Sequence, residues 1–489
     1  MLRSIASLLP RAASRTAASA AARPMTSCAV SVNPFSGEQF ASHDFMSNEA
    51  AGAAVEVAHE TWRDTWRHTD MAERSARMHA LAAVLRKNTA DYSRMMALEM
   101  GKPLAEAAGE VEKCAFVCEY YAEHAEAFLA PEPVDTGLAT DKGEKSFVEL
   151  APIGVVLILM PWNFPFWQVF RQAATALSAG NTMVLKHANN VFGCAMAIEE
   201  AFLEAGFPAG AFRNLAVDIP QVAPLIEHPR VRAVAFTGST PVGKMIGAQA
   251  GALLKPCVLE LGGSDPYIVL EDANLELAAS ACSAGRLLNA GQSCIGAKRF
   301  LVHEAVHDEF VAKLAAVMGE RVMGDPLDAA TTLGPMASHR QRDALHAQVS
   351  ASVAAGAEVV IGGEVPDSPA AFYPPTVLTN VLHDTPAFCE ETFGPVASVI
   401  KVRDEAHAIQ VANEGSDFGL GGAVFTADLA RGERVGAEIE SGMVFVNDFV
   451  KSDPRLPFGG TKESGVGREC SHYGIKEFVN IKTVVVKQS

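Results

Sequence analysis

The chain has 489 residues, 49% hydrophobic and 20% charged, enough for two or three globular domains around a well-buried core. A formal charge of −17 excludes the basic stripe that nucleic-acid binding needs, and nine cysteines at no CxxC or Cys/His spacing exclude a disulfide framework and a structural metal site. A negatively charged small substrate stays open, because local arginines decide that.

Residues 1–37 carry Arg3, Arg11, Arg15 and Arg23, many Ala and Ser, and no acid before Glu38. That is the composition of a transit peptide, so residues 1–30 are expected to be a leader to the mitochondrial matrix; a tail without an address is the other reading. The longest apolar run there is too short to span a bilayer, and no membrane partner is expected. Over 47–124 apolar residues recur every three or four positions, which predicts helices covering a sheet, with Gly101-Lys102-Pro103 as punctuation. At 131–150 the composition turns to Gly, Thr and alternating charge, as in a protruding hairpin.

Between 154 and 263 short β-rich runs alternate with helical stretches, which predicts a parallel α/β sheet. Ligands of such sheets bind beyond the carboxyl ends of the strands, where Trp162, Lys186 and Gly238 fall. The stretch 238–244, GSTPVGK, is one residue short of a P-loop: Met245 stands where a hydroxyl would hold magnesium, which argues against nucleotide hydrolysis. The turn still suits an anion such as a dinucleotide pyrophosphate, with Thr240 as the expected N-cap and Pro241 at the first helical position. Residues 266–447 repeat the alternation and predict a second α/β domain. Just past a predicted helix at 275–289, the stretch GQSC sets Cys294 on small, permissive backbone in the cleft between domains. It is the candidate nucleophile, although a free cysteine is commonly a small buried hydrophobe.

GQSC (291–294), PWNFP (161–165), FTGSTPVG (236–243) and LELGG (259–263) together resemble the aldehyde dehydrogenase superfamily, in the family's order, from about Asn33 to the C-terminus. The resemblance implies an α/β fold of two Rossmann-type parallel-sheet domains with a small β oligomerisation arm. Its parts would be a cofactor-binding domain at 31–130 and 151–263, a catalytic domain at 264–448, a substrate-site loop at 449–469, and an arm at 131–150 and 470–489 that joins a homodimer or homotetramer. Cys294 would attack an aldehyde, the Asn163 amide and the Cys294 N–H would hold the oxyanion, and Glu260 would activate water against the resulting thioester. The presence of Glu260 also argues against CoA-acylating relatives. NAD or NADP would be held by Trp162, Lys186, Gly238, Ser239, Gly243 and Leu261, with Glu391 on the nicotinamide ribose and Phe393 flanking the ring. The family's NAD-preferring members read Lys-Pro-x-Glu where this chain reads Lys186-His187-Ala188-Asn189. The missing carboxylate leaves room at Asn189 for a 2′-phosphate.

The fullest match, which includes KHA, LELGGSDP and FGGTKESGVGRE, is to NAD(P)-type succinate-semialdehyde dehydrogenases. In that group an arginine at the place of Arg171 binds the substrate's distal carboxylate, helped by a serine matching Ser452. Arg171 lies eight residues after Asn163, about two helical turns on. The group's second arginine is Leu288 here, with Arg286 nearby, so Arg455 is expected to substitute from the facing loop. Two other readings stand beside this one: a general aliphatic aldehyde dehydrogenase in which Arg171 pairs with a core acid, and a non-catalytic structural relative, against which nucleophile, base and amide all survive together.

Overall fold

In the computed structural model, which describes residues 28–488, the run Val155–Met160 is buried along its whole length. A strand covered on both faces needs apolar side chains at every position, and this one has them. It runs parallel between Thr182–His187 and Val231–Thr237. Phe212–Asn214 and Cys257–Glu260 extend the sheet on either side, also in parallel. Its last strand is Gly465–Val466, antiparallel to Cys257–Glu260. That strand comes from the segment expected only as a substrate loop.

The second sheet has seven strands, six of them parallel, and an antiparallel edge at Glu358–Ile361. One strand, Thr376–Thr379, is absent from the sequence reading, because two prolines before it and Asn380 after it disguise a four-residue strand, three of its residues buried, as a turn. A third sheet pairs Lys145–Pro152 with Val479–Val486 and with Glu132–Pro133. The C-terminal part of this arm begins later than expected. Cys470, Ile475 and Phe478 are buried in the core beside the first sheet, and only Val479 onward reaches out. Residues 28–30, expected in the leader, belong to strand Cys28–Val32, paired with Gln39–Asp44. The rest of that expectation, 1–27, lies outside the described residues.

The predicted helices over 47–124 form as Asn48–Asp64, Met71–Lys87, Thr89–Met100 and Leu104–Phe128. Ser47 and Asp70 cap the first two by accepting the Ala50 and Glu73 N–H groups. Gly101 ends the third at φ 82°, where a Cβ would stand 2.7 Å from the Pro335 carbonyl oxygen. This turn brings Lys102 into an ion pair with Glu110, with side chains only 1% and 3% exposed. Lys102 also donates to the Asn163 carbonyl at 3.0 Å and lies over the Phe164 ring. The other Glu110 oxygen accepts the Phe166 and Trp167 N–H groups, both at 2.9 Å, at the start of helix Trp167–Ser178. One buried ion pair therefore fixes both ends of the 163–167 turn.

Replacing Lys102 by Met would leave the Glu110 carboxylate buried without its cation. The expected loss is about 3–5 kcal/mol in urea unfolding, partly recovered by adding Glu110→Gln. A loss below about 1 kcal/mol would show that the pair does not hold the turn.

Candidate active site

Helix Leu275–Leu287 breaks into a turn in which Asn289, Ala290 and Gly291 all have left-handed φ, at 57°, 53° and 71°. Gly291 is required there, since a Cβ would come within 2.3 Å of the Gly394 backbone. The turn is held from several sides. Asn289 Nδ2 donates to the carbonyls of Asn163 (2.7 Å) and Gln292 (3.1 Å), and its backbone N–H donates to Glu106 (2.8 Å). From beneath, Arg286 donates to the Gly291 and Ala297 carbonyls, and Lys298 donates to those of Ser293 and Cys294. Arg286 is fully buried among these bonds and is a structural arginine, not an anion receptor.

Cys294 sits where two cavities meet. One, of about 250 Å³, is lined by Trp162, Asn163, Thr237, Leu261, Glu391 and Phe393. The other, of about 270 Å³, runs past Phe164, Trp167 and Phe458 and includes Lys113, Arg171 and Ser452. Burial pushes the Cys294 thiol up to about 12, against the opposing pull of the Arg171 and Lys298 charges. Asn163 is 3% exposed, and its amide is oriented by two bonds: Gln168 Nε2 donates to Oδ1 at 2.9 Å, and Nδ2 donates to the Gln292 carbonyl at 3.1 Å. Among the described residues the second Nδ2 hydrogen has no such partner, and the residue lines the cavity at Cys294.

Glu260 differs from expectation. It ends strand Cys257–Glu260, but its carboxyl is turned toward Gly459, where a Cβ would lie 2.8 Å from Oε1, and it lines neither cavity at Cys294. Burial first, and then the charge of Glu469, hold its pKa well above the usual carboxylate range. Arg171 is buried too, and it pairs with Glu469 while its guanidinium stacks 4.1 Å from the Phe458 ring centroid. It touches the tunnel as expected, but as a paired cation. Arg455 does not reach the site: it is 64% exposed, pairs with Asp453 at 2.6 Å and lines neither cavity. Ser452 does line the tunnel, and it accepts a hydrogen bond from Lys113 Nζ at 2.6 Å.

A cleft of about 740 Å³ continues from the first cavity across Trp162, Thr237, Gly238 and Ser239 to Lys186 and Asn189. Helix Thr240–Ala252 starts at its edge. Its N-cap is Ser239, one residue earlier than expected, because the Thr240 hydroxyl donates to the Glu463 carbonyl instead. Gly243 faces Leu261, which leaves no room for a Cβ, so this glycine lets helix and strand end pack closely. Lys186 Nζ donates to the His187 carbonyl at 2.8 Å and to Asn189 Oδ1 at 2.9 Å, and burial lowers its pKa to about 8. Asn189 Nδ2 in turn donates to Asp218 at 2.9 Å, so the carboxylate missing at 189 is present one residue further from the cleft. Glu391 accepts the Gly263 N–H at 3.1 Å and pairs with Lys298 at 3.0 Å, while the Phe393 ring stands edge-on to Trp162. Lys113, Gln168, Lys298 and Arg340, which lines the cleft, escaped the sequence analysis.

The family profile described as "Aldehyde dehydrogenase family" matches residues 22–484. The succinate semialdehyde dehydrogenase (NAD(P)+) Sad of Escherichia coli K12 is 44% identical, over 93% of this chain and 97% of its own. Succinate-semialdehyde dehydrogenase (NADP(+)) 1 of Mycobacterium bovis is 45% identical, over 93% and 98%. Succinic semialdehyde dehydrogenase from Streptococcus pyogenes, solved with NADP+ as the cofactor, superposes with a TM-score of 0.90 at 38% identity, over 94% of this chain and 100% of that one. These similar proteins are bacterial, which overturns the mitochondrial placement expected from the arginine-bearing leader.

The high thiol pKa has a direct readout. Alkylation of Cys294 by iodoacetamide in the free protein, followed by peptide mass spectrometry, should accelerate about tenfold per pH unit between about pH 7 and pH 9, as the thiolate fraction grows. A rate that levels off below about pH 8 would mean that Lys298 and Arg171 outweigh burial.

Proposed function

The chain belongs to the aldehyde dehydrogenase family, and on that premise we propose that it oxidises succinate semialdehyde to succinate with NAD+ or NADP+. The observation that carries this reading is the position of Cys294 between a dinucleotide-sized cleft and a tunnel with aromatic walls and buried positive charge. A short semialdehyde has an apolar middle and two polar ends, and the tunnel lining repeats that order.

The cleft suits a dinucleotide on its own chemistry. The Thr237 hydroxyl is buried without a partner among the described residues, and Thr237 lines both cleft and cavity. At the start of helix Thr240–Ala252 the Ser239 side chain makes no capping bond, which leaves first-turn N–H groups for a pyrophosphate. Gly238 and Ser239 would hold that group, Lys186, Asn189 and Arg340 the adenosine side, and Glu391, Leu261 and Phe393 the nicotinamide side. Asn189 brings no charge to repel a 2′-phosphate, which supports use of both cofactors. When bound, the nicotinamide supplies the acceptor for the hydride.

The residues of the chain then divide the work. Cys294 gives its thiol proton to solvent water, its sulfur bonds to the aldehyde carbon as the C=O electron pair moves to oxygen, and Asn163 Nδ2 donates to that negative oxygen. Loss of hydride from that carbon leaves a thioester on Cys294. Glu260, turned from Gly459 toward the cavity, leaves the buried acidic cluster that raises its pKa and takes a proton from water. The water oxygen bonds to the thioester carbon, and succinate and the Cys294 thiolate separate. We also propose a homodimer or homotetramer formed through the arm. Strand Val479–Val486 is the outer strand of its sheet, with Ile481 67% and Val485 53% exposed.

Initial rates of reduced-cofactor formation from succinate semialdehyde and butanal, each with NAD+ and NADP+, test the assignment. The expected kcat/KM for succinate semialdehyde exceeds that for butanal by at least about tenfold, near one charge-assisted contact. Equal values would remove the substrate assignment and leave the family. Glu260→Gln should still release one equivalent of reduced cofactor in a burst and then turn over slowly; loss of the burst in a folded variant would place Glu260 before hydride transfer.

A further inference from the structure

Three cations line the tunnel, and their partners differ. Arg171 is neutralised by Glu469, and Lys451 pairs with Asp448 at 2.5 Å. Lys113 has no acid. Its Nζ donates to Ser452 Oγ at 2.6 Å and stands 4.4 Å from the Trp167 ring centroid, and among the described residues no carboxylate pairs with it. Of the acids on the same helix, Glu110, one turn before, is already bound to Lys102 and to two backbone N–H groups, and the adjacent Glu112 pairs with Arg86. Glu106, also in the lining, accepts the Asn289 N–H. Elsewhere in this core buried cations are compensated, Lys298 by Glu391, and Arg286 and Arg299 by rows of carbonyls. A half-buried ammonium against one aromatic ring, with a single hydroxyl as partner, is an incomplete anion site.

We propose that Lys113, with Ser452 beside it, receives the distal carboxylate of the substrate, and that Arg171 holds the tunnel wall through Glu469. This rests on the reading of the substrate as a carboxy-aldehyde. The aldehyde end meets Cys294, and the carboxylate enters the same cavity, takes two of the ammonium hydrogens and accepts from the Ser452 hydroxyl. The cavity's acids, Glu106 and Glu110, are engaged by backbone and Lys102, so neither competes for Lys113. Burial without a counter-ion already lowers the Lys113 pKa to about 8, and an arriving carboxylate reverses that shift.

The test is a steady-state comparison of the parent, Lys113→Met and Lys113→Arg on succinate semialdehyde and butanal, with cofactor binding followed by fluorescence to show that each variant is folded. Lys113→Met should lower kcat/KM for succinate semialdehyde by about 10- to 100-fold, chiefly through KM, and lower that for butanal by less than about threefold, with Lys113→Arg recovering most of the loss. If the parent prefers succinate semialdehyde but Lys113→Met reduces both substrates alike, or neither, Lys113 is a structural lysine and this inference falls while the function stands. If the parent shows no preference for succinate semialdehyde, the function falls and this inference with it.

Discussion

The buried Lys102–Glu110 pair is the constraint from which the geometry at Cys294 follows. Its carboxylate caps the start of helix Trp167–Ser178 and its ammonium holds the Asn163 carbonyl, so the turn between them has one conformation available. Asn163, Gln168, Trp167 and Arg171 all take their positions from that turn and helix. Glu110 is also the middle of a stripe. Glu106, Glu110 and Lys113 fall at i, i+4 and i+7 of helix Leu104–Phe128, on one face. Glu106 holds the nucleophile turn through the Asn289 N–H, Glu110 holds the amide turn, and Lys113 enters the tunnel. A helix expected merely to cover a sheet thereby sets the spacing between the Cys294 turn, the Asn163 turn and the tunnel wall.

Below Cys294 the same economy works with cations. Three successive residues with left-handed φ would not persist without partners, and carbonyls on either side of the nucleophile receive Arg286 and Lys298. Lys298 also binds Glu391, which accepts the Gly263 N–H at the end of the neighbouring loop. The nucleophile and the residue assigned to the nicotinamide ribose therefore share one buried ammonium. A displacement of Glu391 would change both the field at sulfur and the position of the carbonyls that carry it.

The parts legible in the sequence were those with local causes. Strand and helix alternation gave the two mainly parallel sheets, and the glycines of FTGSTPVG and GQSC stood where a Cβ would collide, with the Phe236 and Leu261 side chains in the first and with the Gly394 backbone in the second. Arg171 was found by the family resemblance together with its distance along one helix. Its partner Glu469 was not, because nothing local links two residues that lie 298 positions apart and meet only after the C-terminal segment folds back into the core. Arg455 failed for the converse reason: Asp453, two residues earlier, captures it locally. Lys102 stood in the Gly101-Lys102-Pro103 punctuation, and nothing local marked Glu106 or Glu110 in the helical stretch after it, since burial of a polar stripe depends on what packs against it. Lys298 did leave a trace, as a cation beside Arg299 in an otherwise apolar strand, where a charge needs a compensating group.

The pairing of Arg171 also bears on the base. Glu260 and Glu469 share one buried region, and two neighbouring carboxylates cannot both ionise there without a cation. Arg171 touches Glu469 directly, with Gln172 as a second donor, and so holds that group toward its charged form against the cost of burial. Glu260 has no hydrogen-bond donor of its own among the described residues, and its pKa is raised further. Burial and the Glu469 charge therefore both hold Glu260 above the usual carboxylate range while it faces Gly459, and the cation that offsets this cluster makes its contact with Glu469.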